Sequence, residues 1–327
     1  MLEKTKNTGR KRLSVVIPAR NEEGNMARVY EELSVVRRQL AHYDFEFLLI
    51  DNASEDRTGE MCQEICRRDP EWKYVRFTRN FGSEASIAAG LQMSQGDASI
   101  VLFSDLQDPP DKIPELVEKW EQGNDIVFGV YEGNKHASFW KRWLVARYYA
   151  LLAMMADSPM MPFAGDFRIY DKRVVKVLNH LRERNRYMRG LAQWVGFRST
   201  HIRYERRSRR AGKSKAPFFY LFGFAFSVIV NFSDKPLRLF IVLGILVSML
   251  SSLMGLLVVV NYFFNPVVPG LSTTHVLLMF NMAFISLGFG VLGEYISKIY
   301  IESKRRPLYI VDRAVGLSLD DAGVEGV

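Results

Sequence analysis

Four short apolar runs, LSVVIP (13–18), FEFLLI (45–50), ASIVLF (98–103) and DIVFGV (125–130), stand between polar stretches. Their length and boundaries predict strands buried on both faces, as in a parallel sheet. After the first run, Met26, Val29, Tyr30, Leu33, Val36 and Leu40 recur at helical spacing, and Asn21 or Asn25 stands where a helix cap is needed. Thr58–Arg68 and Ser83–Met93 predict two more helices before the third run. Strand and helix thus alternate over roughly the first 215 residues. This predicts an α/β domain with a mainly parallel sheet and helices on both faces.

From Leu239 to Gly293 the pattern changes, and no Asp, Glu, Lys or Arg occurs. The stretch divides into Leu239–Phe264, a loop NPVVPGLSTT and an arm from His275 to about Ile296; each arm reaches the ~20 residues a membrane helix needs. Buried helices of a soluble core seldom run so far without a charge, so a two-helix transmembrane hairpin is expected. Lys235 and Arg238 precede it, Lys298, Lys304, Arg305 and Arg306 follow it, and the loop has neither Lys nor Arg. The positive-inside rule then puts both flanks in the cytoplasm. Gly244, Ser248 and Ser252, and likewise Ser251 and Gly255, recur every four residues; such small faces suit packing within the hairpin or contact with a second copy. Pro217–Phe232, with six Phe and one Tyr, is short for a span and reads as an interfacial helix.

Composition alters the picture only when it is divided along the chain. The 327 residues are 48% hydrophobic and 24% charged, as in many soluble enzymes, because a charged head and an uncharged hairpin are averaged together. The net charge of +8 is likewise local. Between Arg182 and Lys215 twelve basic residues face only Glu183 and Glu205, which leaves the remainder slightly acidic and excludes a generally basic, nucleic-acid-binding surface. Cys62 and Cys66 share a helix face with no zinc-like neighbours and read as reduced, packed thiols of a cytosolic head. The N-terminal MLEKTKNTGRKR is basic, but the apolar run after it is shorter than the ~7–15 residues of a signal-peptide core, so the head is expected not to be exported.

In an open parallel sheet, ligands sit beyond the carboxyl ends of the strands. The residues there are ARNEE (19–23), DNASEDRT (51–58) and SDLQDPP (104–110). Three acidic clusters on one rim point to a polar, metal-bound ligand. Simpler roles compete at single positions: Glu22 and Glu23 suit a helix N-terminus, Asp56 suits a cap for the helix at 58–68, and Asp108 before two prolines suits a turn.

In order along the chain, IPARNEE, IDNASEDRT, TRNFGSEASIAAGL, SDLQDPPDKIPELV, AGDFRIYDKRVV, RRAGKSK and LGEYISKIYIESKRRPLYIV closely resemble the membrane-anchored polyisoprenyl-phosphate glycosyltransferases of glycosyltransferase family 2, from about residue 12 to 312. The resemblance implies a GT-A type nucleotide-sugar-binding domain that transfers one sugar, with inversion, from a nucleotide diphosphate sugar to a polyprenyl phosphate. It implies that Pro18, Arg20, Asn21, Glu22 and Asp51 hold the base and ribose, with Arg79, Asn80 and Ser104 also against the donor. Asp105 and Gln107 are the implied ligands of a Mg²⁺ or Mn²⁺ ion bridging the diphosphate. The family's Asp-x-Asp-x-Gln reads here Phe103-Ser104-Asp105-Leu106-Gln107, so its first Asp is absent. One carboxylate, an amide oxygen, water and substrate phosphates still suffice for a hard divalent ion. Asp105 and Asp166 are the implied catalytic residues, Asp166 orienting acceptor or sugar or serving as a base. Arg168, Arg209, Ser214 and Lys215 are expected to bind the lipid phosphate, the last three in a cationic loop at the membrane surface. UDP-glucose is the expected donor and undecaprenyl phosphate the expected acceptor, by similarity to bacterial members with this two-span tail.

Phe139–Tyr149, FWKRWLVARYY, interleaves aromatics and cations as an interfacial helix does, although core packing accounts for its aromatics equally well. GKS at 212–214 is no phosphate-binding P-loop, because the Gly required five residues before Gly212 is Arg207. Two rival functions stay open. A processive polysaccharide synthase usually carries Gln-x-x-Arg-Trp, where this chain has Gln193-Trp194-Val195-Gly196; a silent membrane scaffold is the other, given Phe103. The expected layout is a cytosolic GT-A head (1–215), an interfacial helix (216–235), two transmembrane helices (236–300) and a cytosolic tail (301–327), in the inner membrane, with a homo-oligomer left open.

Overall fold

The computed structural model describes residues 9–131, 164–181, 183, 186–207, 235–264 and 271–318. These fall into two compact units: one comprises the described residues up to Arg207 with those from Arg306 onward, the other those from Lys235 to Arg305. The segments 139–149 and 216–234 and the lipid-phosphate residues Arg209, Ser214 and Lys215 lie outside the described residues.

In the first unit, strands β1 (Arg12–Ala19), β2 (Asp44–Asp51), β3 (Trp72–Phe77), β4 (Ala98–Val101), β5 (Ile126–Tyr131), β6 (Ala164–Asp171), β7 (Ser199–Tyr204) and β8 (Val311–Val315) form one sheet in the order β7-β5-β6-β4-β1-β2-β3-β8. The sheet is mainly parallel, as expected. β1 pairs in parallel with β2 and β4, β2 with β3, and β5 with β7. All four apolar runs are strands, but 125–130 is not the neighbour of 98–103. β6 lies antiparallel between them. Its sequence AGDFRIYD hides a fully inserted strand, because Asp166 and Arg168 break the apolar pattern while being buried themselves.

Helices α1 (Met26–Gln39), α2 (Thr58–Arg68) and α4 (Ile113–Glu121) cover one face, where Leu13, Val15 and Ile17 of β1 meet Met26, Val29, Leu33, Cys62 and Leu116. The other face takes α3 (Ser83–Met93), α5 (Lys172–His180) and α6 (Met188–Trp194). Alternate residues of β1 therefore serve two cores, as the strand period of two requires. On the second face the approach is close: a Cβ at Gly90 of α3 would lie 2.1 Å from Val16 Cγ1. Neither asparagine caps α1. Asn25 occupies the cap position, but its side chain donates to Glu22 Oε2 at 2.5 Å instead. Asp56 does support the start of α2, accepting from the Thr58 amide at 3.0 Å and its hydroxyl at 2.5 Å.

The tail is part of the head. β8 pairs antiparallel on β3, with Tyr74 opposite Val315 and Phe77 opposite Val311. Just before it, Tyr309 stacks on Phe77 at 5.0 Å and donates to Gln92 Oε1 at 2.9 Å.

The second unit holds α7 (Lys235–Phe264) and α8 (Leu271–Ser303), both long and apolar enough to cross a membrane. Phe240–Leu257 has mean hydropathy 2.4 and Leu278–Ser303 has 1.4. Leu246, Leu250, Leu253 and Leu257 are each more than half exposed, an apolar surface suited to lipid and not to water. Between the helices, Phe240 stacks on Phe284 at 4.8 Å, and Gly288 makes room for the Phe240 ring. Gly244 of the small-residue face lies against Phe284, whereas Gly255 has open space beside it. The face therefore serves hairpin packing at its first position.

Candidate active site

The strand order reverses at β1: the chain builds outward through β2 and β3, then returns to place β4 on the other side. Such a switch point opens a crevice at the carboxyl ends of the strands. Here it is a cleft of about 200 Å³ lined by Pro18, Ala19, Arg20, Glu22, Asn52, Ser83, Ser86, Phe103, Ser104 and Asp105. A second cavity of about 790 Å³ shares Arg20 and includes Ser54, Arg76, Arg79, Asn80 and, from the returning tail, Asp312 and Arg313.

The loops that shape the cleft are held in costly backbone geometry. Asn21, Ala53 and Leu106, each a short step past β1, β2 and β4, have φ of 53°, 56° and 51°. A left-handed non-glycine residue costs roughly 1–2 kcal/mol, so the surrounding bonds must over-determine it. They do. The Asn21 amide donates to Ser54 Oγ at 3.0 Å, and Asn21 Oδ1 accepts from the Glu55 amide at 2.8 Å. At Leu106 the turn brings Gln107 back onto Asp105, with its side-chain amide 2.8 Å from Oδ2 and its backbone amide 3.2 Å from Oδ1. Ser104 is tied to β1 through its hydroxyl, which donates to the Pro18 carbonyl at 2.9 Å.

The structure therefore brings Pro18, Arg20, Glu22, Ser104 and Asp105 together, with Gln107 against Asp105, and sets Arg79 and Asn80 in the adjoining cavity. Asn21 ties the loop after β1 to the loop after β2. Asp51 is fully buried: Oδ1 accepts from the Ser54 amide at 2.8 Å, and Oδ2 accepts from Tyr74 at 2.8 Å and Arg76 at 3.2 Å. It lines neither cavity, and its bonds organise the loop after β2.

Asp166 and Arg168 also lie within the protein. Arg189, on α6, grips Asp166 with two bonds, Nε to Oδ1 at 2.9 Å and Nη2 to Oδ2 at 2.5 Å. Burial opposes the charge of Asp166, but the Arg189 fork and the Arg168 and Arg206 charges outweigh it and hold the carboxyl below its ordinary range. A carboxylate so held is a poor proton acceptor. Arg168 is fully buried, bonded to the Gly165 carbonyl and lying 5.2 Å from the centre of the Phe128 ring. The side chain expected to bind a lipid phosphate is thus buried in the described structure.

Four residues of the site are invisible to local motif reading. Asn52 links the second loop to the third, donating to Asn80 Oδ1 at 2.9 Å and accepting from the Phe81 amide at 2.8 Å. Glu84, in the first turn of α3, accepts from the Met188 amide at 3.0 Å; burial and the nearby Asp166 charge push it up to about 7. Arg189 is the partner of Asp166. Asp108, expected only to start a turn, is buried and accepts from Tyr204 at 2.7 Å and Arg206 at 3.1 Å.

Among the described residues no three His, Cys, Asp or Glu side chains stand close enough to hold a metal by themselves. The Asp105–Gln107 pair offers one carboxylate and one amide oxygen, a donor set that fits a hard divalent ion only when substrate phosphates and water complete the shell.

Comparison with known proteins gives the chemistry its class. The family described as "Glycosyl transferase family 2" matches residues 14–178. Over 93% of this chain and 94% of the other, it is 37% identical to an uncharacterized glycosyltransferase, YkcC, of Bacillus subtilis (strain 168). Over 92% of this chain and 98% of the other, it is 36% identical to the bactoprenol glucosyl transferase of Shigella phage SfV. Among solved structures, glucosyl-3-phosphoglycerate synthase of Mycobacterium tuberculosis with uridine diphosphate is similar at 20% identity and a TM-score of 0.44, over 68% of this chain and 79% of that one. The residues matched to the family include the loops after β1, β2 and β4 that line the cleft at the switch point, and the chain belongs to glycosyl transferase family 2.

Proposed function

We propose that this enzyme transfers one glucose from a nucleotide diphosphate glucose, UDP-glucose first among donors, to a polyprenyl phosphate at the cytoplasmic face of the membrane. The observation that carries the reading is one of continuity: a switch-point cleft for a nucleotide sugar and two apolar helices occur in one chain, and relatives named for bactoprenol glucosylation align with more than nine-tenths of it. The sheet adds a topological argument. Residues on both sides of the hairpin contribute to the same sheet, which supports an even number of membrane crossings. The cationic flanks support a reading with both ends in the cytoplasm.

In this reading the N-terminus of α3, preceded by Gly82 at φ 92°, turns open amides toward the diphosphate, and Ser83 and Ser86 line the same cleft. Arg79, stacked on Phe81 at 4.2 Å, stands by to pair with phosphate oxygens. Asp105 and Gln107 would hold a Mg²⁺ or Mn²⁺ ion, which supplies neutralisation of the leaving diphosphate when bound. The acceptor needs little activation. A phosphate monoester has its second pKa near ~6, so the lipid phosphate is largely a dianion at neutral pH and attacks the anomeric carbon without a general base. Asp166, held ionised by Arg189, is accordingly assigned to positioning and not to proton transfer. Arg209, Ser214 and Lys215 are assigned to capture of the lipid phosphate on grounds of sequence alone.

The test is to incubate the full chain in membranes with a panel of nucleotide sugars and short polyprenyl phosphates and to weigh the lipid product. One hexose per lipid is expected, and Asp105→Ala should lower turnover by ~100-fold or more at saturating metal. Wild-type turnover in that variant rejects the proposed centre. Several sugars per lipid indicate a processive synthase, and failure of every nucleotide to protect against unfolding indicates a scaffold.

A further inference from the structure

Residues Tyr204–Arg207 lead out of β7 toward the basic stretch at 209–215. Before they do so, they are fastened to the loop that carries Asp105 and Gln107. Tyr204 donates to Asp108 Oδ1 at 2.7 Å, and Arg206 Nε donates to the same oxygen at 3.1 Å. The Arg207 amide donates to the Gln107 carbonyl at 2.9 Å. The Arg207 guanidinium then bonds Asp111 Oδ1 at 2.6 Å and, on α1, Glu32 Oε2 at 2.8 Å. The two elements that the reaction must bring together, donor loop and acceptor segment, are thus joined at the root.

The centre of this fastening is not an arrangement that stability favours. Asp108 is 1% exposed, and its Oδ2 has no hydrogen-bond partner. A buried carboxylate with an unmet oxygen is a cost to the fold that an isosteric neutral side chain would lessen. Tyr204, by contrast, has its ring packed edge-on against Phe167 at 5.6 Å, so its hydroxyl can be removed with the packing kept.

We propose that Asp108, Tyr204 and Arg206 are positioning residues that lock the start of the basic segment to the donor loop, so that lipid phosphate and nucleotide sugar are held in one register. The inference rests on the transfer function proposed above, and the experiment separates the two. Wild type, Tyr204→Phe, Asp108→Asn and the double variant are compared as full chains in vesicles, with UDP-glucose and a short polyprenyl phosphate as substrates. Each single variant is expected to raise KM for the polyprenyl phosphate about tenfold, while the Kd for UDP without lipid stays within about twofold and Tm is not lowered by more than about 2 °C. The double variant is expected to be worse than the worse single one by no more than about twofold, because both changes act on the one Tyr204–Asp108 contact, Tyr204→Phe by removing its donor and Asp108→Asn by taking the charge from its acceptor. A wild type that glycosylates no lipid overturns the proposed function and this inference with it. A wild type that transfers beside variants with unaltered acceptor KM overturns the lock alone. So does an acceptor KM that rises only in step with weaker UDP binding or a fall in Tm, which is what a merely structural role would give.

Discussion

Two carboxylates, Glu84 on α3 and Asp166 on β6, feel one another's charge and settle in opposite states. Asp166 is held ionised by Arg189, while burial and the Asp166 charge raise Glu84 from 4.5 to about 7. Of the two, Glu84 is the one that takes up a proton as pH falls through neutrality. The linkage has a definite sign. Between about 4.5 and about 7 the native state binds more protons than the unfolded chain, so the stability Glu84 contributes is whole below that window and is lost as pH rises through it. Glu84→Gln, which copies the protonated form, should flatten this part of the curve and melt higher than wild type at pH 8. Thermal unfolding at pH 5, 6, 7 and 8 checks it; an unaltered slope would show that Glu84 is not the titrating group. The same scale explains the three left-handed residues Asn21, Ala53 and Leu106, whose strain is confined to loops that shape the cleft.

Among elements, α3 carries the most consequence for the cleft, since its first turn lines the cleft and its body rests on β1, whose end lines it too. Gly90→Ala forces a Cβ to within 2.1 Å of Val16, and overpacking of this kind costs about 1–3 kcal/mol. Chemical denaturation should show that loss together with weaker UDP binding. Gly24→Ala, where a Cβ would meet nothing within 4 Å, should show neither. The strands and helices that could be read from sequence are those with an uninterrupted local pattern: β1, β2, β4 and β5, and α1, α2 and α3. β3, WKYVRF, escaped because Lys73 and Arg76 interrupt it, and β6 because Asp166 and Arg168 find their partners inside the fold. Asp105 and Gln107 were expected from the family resemblance, and the structure sets them in contact across a single residue. The role of Asp108 was not legible, because its partners Tyr204 and Arg206 lie 96 and 98 residues away along the chain.

At the scale of the whole molecule, the proposed hairpin makes a prediction about sidedness. A cysteine at Ser272, between the two spans, should react with an impermeant maleimide on right-side-out vesicles, and Ser318→Cys, beyond β8, only after the vesicles are opened. Equal labelling at both positions would rule out the hairpin. The native background is low: burial pushes the Cys66 thiol up to about 12 and Cys62 higher still, so neither offers much thiolate. The returning strand β8 also sets an order of events during synthesis. A ribosome delivers Val311–Val315 only after both apolar helices have left its tunnel, so until then β3 is an open edge of the kind that invites wrong pairing. The edge of the sheet beside the second cavity is therefore closed last, by a strand made after both arms of the hairpin.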